Sequence, residues 1–279
     1  MERMETPLQI DVEKVLYSKN ARLKNAIPGF VVRYLKRIVH QEEINWILRE
    51  YGHLRGFPFN DAVLKEMGIT YRANGVENIP AGGRNIFVSN HPLGGLDGMV
   101  FISELSKKFP SIKFPVNDIL LNIENYSDIF LPVNKHGSLG REAARLMEEA
   151  YVSDCQILNF PAGICSRKIR GVITDLPWQK SFIVKAIQHQ RDIIPCYFSG
   201  RNSSFFYNLS RIRTMFGIKA NLEMLYLADE MFRQKGKDIN LYFDKVIPWQ
   251  TFDKSKTIQE WTQWVRDKTY NLQEQATKG

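Results

Sequence analysis

The sequence predicts an α/β domain. Its mostly parallel or mixed sheet is flanked by helices and preceded by an N-terminal helical segment. From residue 85 onward, short apolar runs alternate with helical stretches. These runs are near-continuously apolar, the pattern of strands covered on both faces. Residues 10–68 carry helical patterning instead, and a turn-rich stretch separates the two regions. The expected division is a helical segment at 1–73, packed on the main domain, and an α/β domain at 74–279.

Among the N-terminal helices the piece at 30–48 is clearest. Val31, Tyr34, Leu35 and Ile38 recur at i, i+3, i+4, i+7, with Arg33, Lys36, Arg37 and His40 mostly elsewhere on the wheel. Such a basic amphipathic helix lies on an anionic membrane surface or packs on the main domain with a solvated basic face. The sequence favours packing. Gly75, Pro80, Gly82 and Gly83 mark the link at 74–84. The strand candidates follow: 85–90 (NIFVSN), 111–116 (SIKFPV), 128–133 (DIFLPV), 155–160 (CQILNF), 192–198 (DIIPCYF) and 240–246 (NLYFDKV). Between them the best helical face carries Ala143, Leu146, Met147, Ala150 and Tyr151. A terminal amphipathic helix carries Ile258, Trp261, Val265 and Leu272. Ligands of such folds bind at the C-terminal ends of strands.

Composition narrows the class. The chain has 279 residues, 44% hydrophobic and 24% charged, which is globular composition. No apolar window is long enough for a transmembrane helix, and the first residues lack the apolar core of a cleaved signal. Cys155, Cys165 and Cys196 are too few and too scattered for a disulfide framework or a zinc site. A reducing, cytoplasmic compartment is expected. The net charge of +8 favours anionic partners. It is concentrated: residues 14–41 hold seven Lys/Arg and no acid, and 166–219 hold ten against Asp175 and Asp192.

Three segments carry the side chains for chemistry. Ser89-Asn90-His91-Pro92-Leu93-Gly94-Gly95-Leu96-Asp97-Gly98 joins a strand to an apolar helical run. His91 falls at the strand's end and Asp97 near the helix start, where an acid is also favourable as a cap. Gly94 and Gly95 permit a turn that folds Asp97 back to the imidazole. A carboxylate on one ring nitrogen fixes the tautomer and leaves the other as a base. No protein nucleophile accompanies the pair, so the proton would come from a substrate. The second segment, Phe160-Pro161-Ala162-Gly163-Ile164-Cys165-Ser166-Arg167-Lys168, also follows an apolar strand. Its glycine turn and cations suit a phosphate or carboxylate, and equally an ordinary surface loop. The third runs from Ile194 through Arg201 to Phe205-Phe206-Tyr207. Its aromatics beside Arg201 line an acyl groove, meet a membrane interface or pack in the core. A serine hydrolase elbow, G-x-S-x-G, is absent, and Cys165 has no indicated activating partner.

In this order and spacing, the segments resemble the glycerolipid, or lysophosphatidic-acid-acyltransferase-like, superfamily, over residues 76–246. They are most similar to its hemolysin-like bacterial subgroup of lyso-aminolipid O-acyltransferases. Asn90-His91 followed by Asp97 resembles the first family motif, with five intervening residues instead of four. LPVNKHG matches the second loosely, with Lys135 where arginine is usual. Phe160-Pro161-Ala162-Gly163 matches the third, with Ala162 replacing a glutamate. IIPCYF carries the proline of the fourth at Pro195.

The resemblance implies direct acyl transfer from an acyl carrier protein or coenzyme A thioester to the hydroxyl of a lyso-lipid. The acceptor would be a lyso-aminolipid or lysophosphatidic acid. His91 and Asp97 would be catalytic. Asn90, Lys135, Gly163, Ser166, Arg167 and Arg201 are the substrate-binding candidates. No metal or other cofactor is expected, and no nucleic-acid module is evident. The implied location is peripheral, at an anionic membrane surface on the cytoplasmic side. The competing reading is a catalytically degenerate relative that binds lipid or carrier protein.

Overall fold

A computed structural model describes residues 9–19, 27–117, 120–133 and 137–276. Helices α1 (Val12–Lys19), α2 (Gly29–Ile38), α3 (Gln41–Tyr51) and α4 (Gly56–Glu66) open the chain. The single helix expected at 30–48 is broken between α2 and α3. His40 sits there with left-handed backbone, φ 54°. Its ring stacks on Phe232 at 4.2 Å, and its Nε2 lies 3.1 Å from Asp229 Oδ1. These tertiary contacts offset the roughly 1–2 kcal/mol that a left-handed non-glycine residue costs.

The next elements are β1 (Tyr71–Asn74), β2 (Asn85–Ser89), α5 (Gly95–Ser106), β3 (Ile112–Val116) and β4 (Phe130–Pro132). Then come α6 (Gly137–Val152), β5 (Gln156–Asn159), the hairpin β6 (Arg167–Ile169) and β7 (Val172–Thr174), α7 (Ser181–His189) and β8 (Asp192–Phe198). The chain ends with α8 (Ser204–Met215), α9 (Leu227–Phe232), β9 (Ile239–Phe243) and α10 (Ile258–Ala276). Every strand run read from the sequence contains a strand. The reading missed β1, which begins inside the span assigned to helix, and the short hairpin β6–β7.

Seven strands form one sheet in the order β1-β9-β8-β2-β5-β3-β4. All neighbours are parallel except β8 and β9. Strand alternation divides the apolar residues between two cores. Phe87, Leu158, Ile194, Cys196 and Phe198 enter the face covered by α4 and α5. Ile86, Val88, Ile157 and Ile193 enter the face covered by α7 and α10. This two-sided cover explains the near-continuous apolar runs. Strand β2 lies between β5 and β8. The chain therefore crosses away from β2 on both sides, which makes its C-terminal end the switch point where ligands of such folds bind. No helix among the described residues is long and apolar enough to cross a membrane.

Candidate active site

His91 stands at that switch point, two residues beyond β2. Its Nδ1 lies 3.0 Å from Asp97 Oδ2. The same carboxylate oxygen accepts the backbone N–H groups of Leu93, at 2.9 Å, and Gly94, at 3.2 Å. Gly94 has φ 78°, and a Cβ there would sit 3.1 Å from Leu227 and 3.2 Å from Cys165. Glycine is what lets the turn close this tightly. Asp97 is fully buried in the first turn of α5. Burial pushes its carboxyl above the usual carboxylate range, and the His91 hydrogen bond pulls it back. The imidazole stacks on Phe160 at 4.2 Å and 18°. Phe160 in turn packs on Phe101 and Phe114. With Nδ1 turned to Asp97, Nε2 takes no hydrogen bond from any described residue.

The main chain around His91 is held as firmly as its ring. Its N–H donates to Asp175 Oδ1 at 3.2 Å, and its carbonyl accepts from the Ser166 N–H at 2.7 Å. Asp175 also accepts from Ser166 Oγ at 2.6 Å and from Trp178 Nε1 at 2.9 Å, and its own N–H donates to the Tyr270 hydroxyl. Asp175 thus joins the His91 loop and the loop after β5 through its buried carboxylate, and α10 through its backbone N–H. The sequence reading did not assign Asp175. Its only signal was as one of two acids in a long basic stretch.

The other sequence candidates divide. Asn90 is buried, and its amide bridges β2 to Phe198 of β8, accepting that N–H at 2.7 Å and donating to that C=O at 2.9 Å. Gly163 lies at an exposed turn with φ 72°, its N–H on the Phe160 carbonyl. Ser166 is spent on Asp175. Arg167 points inward to Glu223 Oε1 at 2.9 Å and to the carbonyl of Cys165. Arg213 pairs with the other oxygen of Glu223 at 2.8 Å. Burial raises the Glu223 carboxyl, but its hydrogen bonds and the two guanidiniums outweigh that and hold it below the usual range. Arg201 is exposed on the turn after β8. Lys135 lies outside the described residues. The structure therefore gathers Asn90, His91, Asp97 and Ser166 into one constellation beside the Gly163 turn, while Arg167 faces away from solvent. Burial pushes the Cys165 thiol up to about 12, which leaves it protonated and unreactive.

A buried carboxylate orienting an imidazole whose second nitrogen stays open is a general-base arrangement. It has no protein nucleophile, which suits transfer directly between two substrates. A profile described as acyltransferase matches residues 14–279. The chain belongs to the acyltransferase family. Among its relatives, a lyso-glycine lipid O-acyltransferase of Bacteroides thetaiotaomicron is 46% identical over 264 residues, covering 94% of this chain and 97% of that protein. A protein of the same name from Phocaeicola vulgatus is 45% identical, covering 94% and 95%. This acyltransferase is also similar to the crystal structure of the 1-acyl-sn-glycerophosphate (LPA) acyltransferase PlsC of Thermotoga maritima. That likeness is 15% identical and covers 88% of this chain and 92% of that one, with a TM-score of 0.44. The glycerolipid-type acyltransferase enzyme expected from the motifs is what the family match and the relatives support.

Proposed function

We propose that this acyltransferase moves a fatty acyl group from an acyl carrier protein or coenzyme A thioester to the hydroxyl of a lyso-glycine lipid. The acceptor class rests on the two relatives, and the chemistry rests on the open Nε2 of His91 beside buried Asp97. Nε2 takes the proton of the acceptor hydroxyl as its oxygen attacks the thioester carbonyl. The tetrahedral intermediate then expels the thiolate, which recovers that proton from the imidazolium. Asp97 keeps its negative charge and stabilises the imidazolium without taking the proton. The cycle needs no acyl-enzyme and no metal.

The enzyme works at the cytoplasmic surface of an anionic membrane. Exposed Phe205, Ile212, Met215, Phe216, Ile218, Leu222 and Leu225 lie on α8 and the turns after it. Arg211 and Lys219 stand exposed among them. Tyr226, which meets Phe205, shares a 2.8 Å hydroxyl contact with Tyr34 and so adds the basic face of α2 to this surface. An apolar patch ringed by cations fits anionic lipid. The same basic faces suit an acidic carrier protein.

The test is thiol release from acyl carrier protein and coenzyme A thioesters, with lyso-glycine lipid and lysophosphatidic acid as acceptors. Release is expected with the glycine lipid, in the presence of EDTA, and is expected to vanish in His91→Ala. Release that persists in His91→Ala defeats the mechanism; release only with lysophosphatidic acid defeats the acceptor.

A further inference from the structure

A cavity adjoins the His91 loop, and we propose that it binds the carboxylate of the acceptor lipid's headgroup. The proposal rests on the acceptor reading above. The cavity measures about 450 Å³ and lies between the turn after β8, the β6–β7 hairpin and the segment ahead of β9. Its wall includes Lys168, Arg201, Asn202, Ser204, Asn208 and Lys237. The three cations are exposed and make no ion pair with any described residue. Asp238 is the one acid among the described wall residues.

Asn202 gives the second, independent indication. It is 3% exposed, yet neither its Oδ1 nor its Nδ2 has a hydrogen-bond partner. Buried amides are almost always partnered, so this one is suited to a ligand group that the free protein does not supply. Asn202 immediately precedes Ser203, the residue capping α8, a helix of 12 residues. The first two turns of α8 line the same cavity through Ser204, Tyr207 and Asn208, and a helix N-terminus favours an anion. Glu230 nearby is buried and occupied by the N–H and hydroxyl of Ser203.

The position favours the acceptor over the donor. The turn holding Gly200 packs directly on the His91 loop, since a Cβ there would lie 3.1 Å from Leu93. A thioester donor keeps its phosphates a whole pantetheine arm away from the reacting carbonyl. A glycine joined to a fatty chain through its nitrogen instead keeps its carboxylate within the same small headgroup.

The test compares wild type with Arg201→Gln/Lys237→Gln, two exposed positions. Each is assayed on lyso-glycine lipid and on its primary amide. The wild type is expected to prefer the acid. In the variant the KM for the acid rises about tenfold or more, the loss sits in KM rather than kcat, and the preference over the amide disappears. An unchanged acid preference overturns the proposal. A rise in donor KM instead assigns the cavity to donor phosphates and overturns it too. Calorimetry with N-decanoylglycine and N-decanoylglycinamide, which lack the reacting hydroxyl, separates this site from the catalytic reading. Acid-selective binding lost in the variant, from a protein that transfers no acyl group, supports the site while defeating the function. Acyl transfer to lyso-glycine lipid with no acid selectivity does the reverse.

Discussion

The loops that follow β2 and β8 leave the sheet side by side and are built in opposite ways. After β2 the groups that hold His91 are matched, Asp97 Oδ2 by the imidazole and two backbone N–H groups and the His91 main chain by Asp175 and Ser166, while Asp97 Oδ1 is buried without a partner. After β8, Arg201 is exposed and Asn202 is buried with its amide unpartnered. The arginines that follow β5 and β8 make a similar contrast. Arg167 is neutralised inside by Glu223, whereas Arg201 is turned outward. Chemistry calls for groups fixed before the substrate arrives, because reorganising dipoles during reaction costs rate. Binding calls for groups left unsatisfied until it does.

The sharpest break would come at Asp97. Asp97→Asn is expected to lower kcat by about 10²–10⁴-fold, because the amide no longer stabilises the imidazolium or enforces the tautomer. Stability should not fall with it. The buried carboxyl titrates above its unfolded value, so its ionised form costs stability once the pH exceeds the folded pKa, and that cost is absent below the unfolded one. The variant should therefore match or exceed the wild type in Tm at neutral pH, with the gap closing on acidification. Activity retained within about threefold would remove His91–Asp97 from the chemistry.

Glu223 tests the claim that Arg167 is structural. Glu223→Gln leaves two largely buried guanidiniums without their shared counter-charge, expected to cost about 3–5 kcal/mol. A Tm drop on the order of 10 °C follows for a chain of this size. The Glu223 carboxyl is held low, so its contribution is present above the ordinary carboxylate range and fades as pH falls through the folded value. The gap between wild type and variant should narrow below about pH 4. If Arg167 held the acceptor, the variant would instead change acceptor KM while keeping its Tm.

Gly98 tests the packing beneath the imidazole. A Cβ there would meet the Phe114 ring at 2.6 Å, and Phe114 packs on the Phe160 that carries His91. Gly98→Ala is expected to cost about 1–3 kcal/mol by overpacking and to lower kcat as Phe160 shifts. Full kcat at reduced Tm would show that the aromatic stack supports the fold but not the catalytic ring.

Much of this was legible in the sequence, and what was not shares a cause. Buried strands announce themselves by apolar runs, and Asn90, His91 and Asp97 by sitting where a run gives way to a glycine turn. β1 escaped because its burial alternates over only four residues, and the β6–β7 hairpin because its strands are three residues each. The helix break at His40 depends on Phe232 and Asp229, about 190 residues later, contacts that periodicity cannot register. Arg167 and Arg201 look alike as cations after strands. Only Glu223, 56 positions downstream, separates them.

The last and smallest expected effect concerns the exposed side of the β8 region, where apolar side chains lack the cover given to those around His91. Met215 and Phe216 are each 71% exposed at the end of α8. Fully burying one such side chain is worth about 1.5–3 kcal/mol, and shallow insertion at an interface recovers part of that. Met215→Ser/Phe216→Ser should therefore weaken co-sedimentation with phosphatidylglycerol vesicles by about tenfold. It should leave kcat on a short-chain, soluble acceptor unchanged, because neither residue touches His91, Asp97 or the cation-lined cavity. Arg211 and Lys219 should make the remaining binding salt-sensitive, since their attraction is screened beyond about 10 Å at 0.1 M salt. Equal vesicle binding by variant and wild type would move the membrane contact away from α8. A matching loss of kcat on the soluble acceptor would mean that this surface belongs to the substrate path instead.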